Sequence, residues 1–399
     1  MAKIQGVARA SATATSAAAA VPAAPAVVIG PSEGTSARLD ALDGLRAFAA
    51  LHVFLVHYVA LFAFLLPEGS VALRTLRAAF TNGFQGAYLF FVLSGFLIYR
   101  SLLRRPQPLA GYLGRRVRRI YPTFGAVFVL YIALSAIFPE RSKIPDTGVA
   151  EYLLANAALL PGVFPIRPMV TVAWTLSYEI IFYLGIGFLV AGLGMRTWSP
   201  SARALFFVGM AALYLAVGNA AGLQLAPFLM FLPGILLLDL LDQRRNPRQP
   251  APGIDPRPLI PLLLAAGLAG VALAGFRGPA GGLEATASTF RSHAGIGIAF
   301  GILLWMSMGG STHFSRLCLW RPLRWLGEVS YSFYLIHGLV LGAIAMAVRP
   351  LIAPGAGTAW LFWAGLPFAV LAASGAASVL FVAVERRYSL LREGRPAAS

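Results

Sequence analysis

Two residues eleven positions apart, Arg46 and His57, lie inside the first long apolar stretch of the chain. On a helix, eleven steps of 100° leave two side chains about 20° apart on one face, with the second roughly 16 Å further along the axis. A permanent cation and a titratable imidazole then share one stripe. Ionisable groups inside a membrane are costly and normally face a bundle interior or a polar cavity, so the stripe is expected to do chemistry. An imidazole with an ordinary pKa near 6.5 suits a general base that accepts and returns a proton near neutrality.

Three further groups need an explanation. Between Arg100 and Arg119 the chain places seven arginines in twenty residues, four of them at 115, 116, 118 and 119. Guanidinium clusters bind phosphate through charge-assisted, bidentate hydrogen bonds, so Arg115, Arg116 and Arg119 predict a phosphate-bearing ligand, with anionic lipid as the rival. Glu179, within Trp174-Thr175-Leu176-Ser177-Tyr178-Glu179, is a lone intramembrane carboxylate at a depth similar to His57. Pairing between them would fix the imidazole tautomer and raise its basicity; a purely structural clamp is the alternative. Ser330, Tyr334 and His337 share one helical face, which either lines a cavity or hydrogen-bonds between helices. With Trp174 they are the candidate substrate-binding residues. Ser94 sits in no Gly-x-Ser-x-Gly elbow and reads as a close-packing residue. His52 reads as packing, and His293 and His313 as water-contacting groups near helix ends.

These side chains must be held by a membrane bundle. Of the 399 residues, 58% are hydrophobic and only 12% charged. Apolar segments long enough to cross about 30 Å of hydrocarbon are expected at 41–66, 83–102, 120–138, 172–193, 203–221, 225–241, 258–276, 294–310, 325–347 and 359–384. The fold class is therefore all-α, a polytopic bundle of about ten transmembrane helices. With both termini cytoplasmic, 24 of the 32 Lys and Arg fall on the inner side or at its helix ends, as the positive-inside rule requires. The net charge of +17 then meets lipid headgroups, and nucleic acid is not a partner. A single cysteine, Cys318, excludes a disulfide framework and a thiolate metal site, and no metal is expected.

Residues 1–37, rich in Ala, Ser, Thr and Pro, read as a disordered cytoplasmic tail, 38–390 as one membrane domain and 391–399 as a second short tail. Little chain follows the last apolar segment, so the bundle itself is expected to carry the activity.

Taken together, Leu42-Asp43-Gly44-Leu45-Arg46 leading to His57, Phe90-Phe91-Val92-Leu93-Ser94-Gly95-Phe96, Arg116-Val117-Arg118-Arg119-Ile120-Tyr121-Pro122, the Trp174 to Glu179 run and Ser330-Tyr331-Ser332-Phe333-Tyr334-Leu335-Ile336-His337 resemble the integral-membrane acyltransferase family 3. The resemblance implies a ten-helix membrane domain that takes an acyl group, commonly acetyl, from cytoplasmic acyl-CoA and transfers it to a hydroxyl of a glycan or glycoside. It implies residence in the cytoplasmic membrane. His57 matches the essential histidine of the family, Arg46 its partner in the arginine-ten-residues-histidine motif, and Arg116 with Arg119 its arginine pair at the cytoplasmic face. Many members carry paired glutamates where this chain has Glu179-Ile180, a form closer to exopolysaccharide-modifying members. The esterase-like domain that follows the bundle in others is missing, so direct transfer and handover to a separate extracytoplasmic protein both stand open. A proton-coupled transporter of a sugar or glycolipid is the competing class, because intramembrane Arg, His and Glu also mark such carriers.

Overall fold

A computed structural model describes residues 33–80, 85–214, 226–245, 283–308, 312–352 and 356–390. Helix dominates throughout, and no strand forms among the described residues. In hydrocarbon no water satisfies backbone N–H and C=O groups, so an apolar chain that pairs them internally is driven to helix. Six helical segments are long and apolar enough to cross a membrane: Asp40–Leu65, Gln85–Arg104, Leu109–Ile137, Thr171–Gly192, Ser330–Leu351 and Ala359–Ser389. Large apolar side chains such as Phe188, Leu205, Leu371 and Val379 point outward, the polarity expected of a lipid-facing surface.

The α-helices are α1 (Glu33–Phe62), α2 (Val71–Phe80), α3 (Gln85–Arg104), α4 (Leu109–Ile137), α5 (Val149–Ala157), α6 (Trp174–Gly192), α7 (Pro200–Leu213), α8 (Leu232–Arg245), α9 (Leu283–Ser307), α10 (His313–Cys318), α11 (Arg321–Glu328), α12 (Ser330–Val348) and α13 (Ala359–Leu380). A π-helical stretch, Phe381–Leu390, continues α13.

Of the expected ten spans, six are long and apolar enough to cross a membrane among the described residues. The segment expected at 225–241 is a 3₁₀ turn, Ala226–Phe231, followed by α8. It carries Asp239 and Asp242, which an apolar reading underweights. Arg203 of α7 pairs with Asp239 at 2.7 Å, Arg104 of α3 pairs with Asp242 at 2.9 Å, and the Tyr99 hydroxyl donates to Asp239 at 3.3 Å. Arg104 and Arg203 therefore stitch α3, α7 and α8 together and are more than topological charge. Of the segment expected at 203–221, α7 covers the first part, whereas the one at 258–276 lies outside the described residues. The helical run α1 opens at Glu33, ahead of the boundary expected at 37, and the remainder of both expected tails falls outside the described residues.

At the centre, α1 packs on α11, α3 and α12, while α6 packs on α3 and α4. The contact between α1 and its short neighbours is backbone-close. A Cβ on Gly44 would enter the Cys318 carbonyl, and one on Gly327 would enter the Asp43 carbonyl. Only glycine admits that approach, so the Asp43-Gly44 step that leads to Arg46 is clamped between α10 and α11. An ion pair between Arg324 and Asp40, 3.0 Å long, closes the same seam.

Candidate active site

A cavity of about 590 Å³ opens between α1, α3, α4, α6 and α12. Its walls follow from helical spacing. On α3, Ala87, Phe90, Ser94 and Leu97 recur every three or four residues, and Thr175, Glu179 and Tyr183 do the same on α6. Ser330, Tyr331 and Tyr334 enter from α12, and Arg46, Arg105, Arg116 and Arg119 bring four guanidinium groups to one chamber.

Glu179 is the only carboxylate in that wall. Ser94 Oγ donates to it at 2.7 Å, and the Tyr183 hydroxyl donates to the same oxygen. Two hydroxyl donors hold the carboxylate in place. The ring of Tyr183 in turn lies beneath Arg116, whose guanidinium carbon is 5.8 Å from that ring and 5.7 Å from the ring of Tyr112. Among the described residues no ion pair neutralises Arg116. Arg119 differs: its Nη1 is 2.5 Å from Glu385, a fully buried carboxylate in the π-helical stretch, which also accepts from Ser332 Oγ at 2.5 Å. Arg46 keeps only a long contact of 3.4 Å to Asp43, one turn away on its own helix.

Ser94 therefore does more than pack, contrary to the sequence reading. The expected pairing of His57 with Glu179 is likewise corrected, because no hydrogen bond or ion pair joins them. Similar depth says nothing about direction around a helix axis. The neighbour of His57 is His337, with ring centroids 5.1 Å apart. His337 is fully buried, and its Nδ1 lies 3.1 Å from the Phe333 carbonyl. A carbonyl only accepts, so Nδ1 carries the proton, leaving Nε2 without a partner among the described residues.

Tyr334 and Thr175 line the cavity from α12 and α6. Their hydroxyls are 2.8 Å apart, and both reach the Val172 carbonyl, at 3.1 and 3.0 Å. The Tyr334 ring is 6.2 Å from that of His337, which places the histidine pair just behind this part of the wall. His57 and His337 are thus adjacent to the cavity and do not line it. Of the other candidates, Ser330 and Tyr334 line the wall, whereas Arg115 and Trp174 do not; Trp174 packs edge-on against Tyr178. His293, expected to meet water, lies 3.0 Å from the Tyr88 hydroxyl.

Sequence reasoning passed over Thr175, Tyr183, Arg105 and Glu385. Thr175 and Tyr183 were within reach, since they flank Glu179 at four residues on either side. Glu385 was not, because beside Arg386 and Arg387 it reads as part of a charged helix end. No group of three or more His, Cys, Asp or Glu suited to a metal ion occurs among the described residues.

The family model described as an acyltransferase domain, family 3, matches residues 39–379. The exopolysaccharide production protein ExoZ of Rhizobium meliloti (strain 1021) is 28% identical over 327 residues, which is 79% of this chain and 92% of that protein. The acyltransferase MdmB of Streptomyces mycarofaciens is 33% identical over 151 residues, 37% of this chain and 38% of MdmB. No solved structure matches. A match through all five cavity-forming helices leaves one assignment: the chain is a membrane protein that belongs to acyltransferase family 3.

Proposed function

We propose that this protein moves an acetyl group from cytoplasmic acetyl-CoA to a hydroxyl of an exopolysaccharide-type glycan, at or across the cytoplasmic membrane. The observation that carries the reading is the polarity of the cavity. Four arginines gather toward one end, and the wall then becomes aromatic and hydroxylated up to Tyr334, behind which the histidines stand. Arg116, Arg46 and Arg105 hold the phosphates of the donor, with Arg115 reinforcing the field from outside the wall. Arg119, already neutralised by Glu385, shapes that end of the chamber. The thioester arm extends along α3 toward Tyr334 and Ser330, and Trp174 supports that wall through Tyr178.

His57 takes the proton from the acceptor hydroxyl as its oxygen attacks the thioester carbonyl. The tetrahedral intermediate collapses with loss of the CoA thiolate, which recovers a proton from the imidazolium. His337 stands beside His57 and fixes its setting. Glu179, tied to Ser94 and Tyr183, holds the floor on which Arg116 rests. Resemblance to ExoZ and MdmB, whose names speak of exopolysaccharide production and acyl transfer, supports the acceptor class and the reaction class.

The test is kinetic, on purified full-length protein with radiolabelled acetyl-CoA and the glycan of its host. Removing a general base costs about 10²- to 10⁴-fold, so His57→Ala is expected to lose at least about a hundredfold in transfer with donor affinity retained. Arg116→Ala is expected to weaken acetyl-CoA binding by about tenfold or more. Transfer at the wild-type rate by His57→Ala refutes the proposal.

A further inference from the structure

The bundle holds a second cationic place, remote from the arginine-lined cavity. Arg116 lies near the start of α4 and Lys143 follows its end, so about 32 Å of helix separates the two ends of the molecule. On α1, His57 lies about 16 Å beyond Arg46 in that same direction.

The Lys143 ammonium is partly buried. It donates to the Met169 carbonyl at 3.2 Å and to Thr171 Oγ1 at 2.6 Å, and it lies 6.0 Å from the centre of the Tyr131 ring. Among the described residues no carboxylate pairs with it. Glu140 is 3.9 Å from Arg141, and Asp146 and Glu151 make no ion pair with Lys143 or with its neighbour Arg167. Burial, and after it the charge of Arg167, pulls the ammonium below the usual lysine value. A partly buried cation without a counter-ion is unfavourable, yet the fold builds it deliberately. Asn156, 3% exposed, accepts from the Met169 N–H at 2.7 Å and donates to the Arg167 carbonyl at 3.4 Å, holding the loop that cradles Lys143.

The place adjoins the histidines through Tyr131. The Tyr131 hydroxyl is 3.8 Å from where a Cβ on Gly338 would be, one residue from His337.

We propose that Lys143, with Arg167 beside it, forms an acceptor subsite that takes an anionic oxygen group, a carboxylate or a phosphate, and so presents a neighbouring hydroxyl to His57. The third ammonium N–H and the unpaired charge are what the anion satisfies. The inference rests on the assignment of His57 as the acceptor-side base.

The experiment reads binding, independent of turnover. Full-length protein in phosphatidylcholine nanodiscs is titrated calorimetrically with glucuronate and with inorganic pyrophosphate. Pyrophosphate is titrated in the Arg116→Ala background, to silence the donor end. Lys143→Met is expected to weaken one of the two probes by about tenfold or more, and Lys143→Arg to restore it. Loss of glucuronate identifies an acidic sugar, and loss of pyrophosphate a phosphate-bearing carrier. Wild-type protein that binds neither probe overturns the subsite, as does Lys143→Met with unchanged affinities. A parallel loss of acetyl-CoA binding in both lysine variants marks the residue as structural and overturns it too. Inactivity or activity of His57→Ala bears on the proposed function alone and leaves these affinities untouched.

Discussion

The buried pair of Arg119 and Glu385 separates a structural clamp from a donor ligand. Glu385 is fully buried and has two partners, Arg119 Nη1 and Ser332 Oγ, both at 2.5 Å. Arg119 keeps 20% of its side chain exposed toward the cavity and lies 5.6 Å from the Tyr331 ring. Removing one member of such a pair strands the other charge in low dielectric, at about 3–5 kcal/mol, whereas replacing both by apolar groups is often neutral. Arg119→Met and Glu385→Leu are each expected to destabilise the protein by about 3–5 kcal/mol. The double variant is expected to lose only about 1–2 kcal/mol, because the Ser332 hydroxyl still lacks its acceptor. The assay is a double-mutant cycle on unfolding in a fixed detergent, with acetyl-CoA affinity measured on the same four proteins. A clamp gives a coupling energy above about 2 kcal/mol and a double variant that still binds acetyl-CoA nearly as well as wild type. Additive single effects, with coupling below about 0.5 kcal/mol, refute the clamp. A stable double variant that binds acetyl-CoA more than about tenfold more weakly refutes the assignment of phosphate binding to Arg116, Arg46 and Arg105 without Arg119.

Two further outcomes follow from the α1 seam. Gly327→Ala forces its Cβ into the Asp43 backbone, and overpacking of this kind costs about 1–3 kcal/mol; since Asp43 is one turn from Arg46, acetyl-CoA affinity is expected to fall with stability. Gly342→Ala, with nothing within 4 Å of the new carbon, is the harmless control, and equal thermal midpoints for the two variants would show that the seam is loose. Cys318 is fully buried, and burial pushes its thiol up to about 12. A raised value keeps the sulfur protonated, and the thiolate is the reactive species. Native protein near pH 8 is therefore expected to resist maleimide until unfolded, and rapid native labelling would show α10 detached from Gly44.

Sequence reasoning reached the elements whose physics is local. The five apolar runs that form the cavity walls were placed within a few residues, apart from the early start of α4 at Leu109, because length and hydropathy alone decide whether a segment can span. The shared face of Ser330 and Tyr334 followed from helical spacing. What failed was azimuth. Depth in the membrane placed His57 level with Glu179, but α1 turns that face to α12 and α6 turns to α3 and α4. Likewise α8 hides its two aspartates against arginines of α3 and α7, a compensation that no single-segment hydropathy reveals.

The corrected geometry changes how charge is distributed along the path of the reaction. Had Glu179 paired with His57, the base would carry a permanent negative neighbour. Instead the carboxylate accepts from Ser94 and Tyr183 beside the arginines, and His57 faces the ring of His337. The cation proposed for the acceptor side favours an oxygen that becomes negative as it attacks. The neutral imidazole is the form a general base needs, and the developing oxyanion is the species a transferred acyl group must pass through. An arginine-lined end for one substrate, a lysine on the other side, and a histidine pair between them together form a path that suits acyl transfer across the bundle better than passage of an intact sugar.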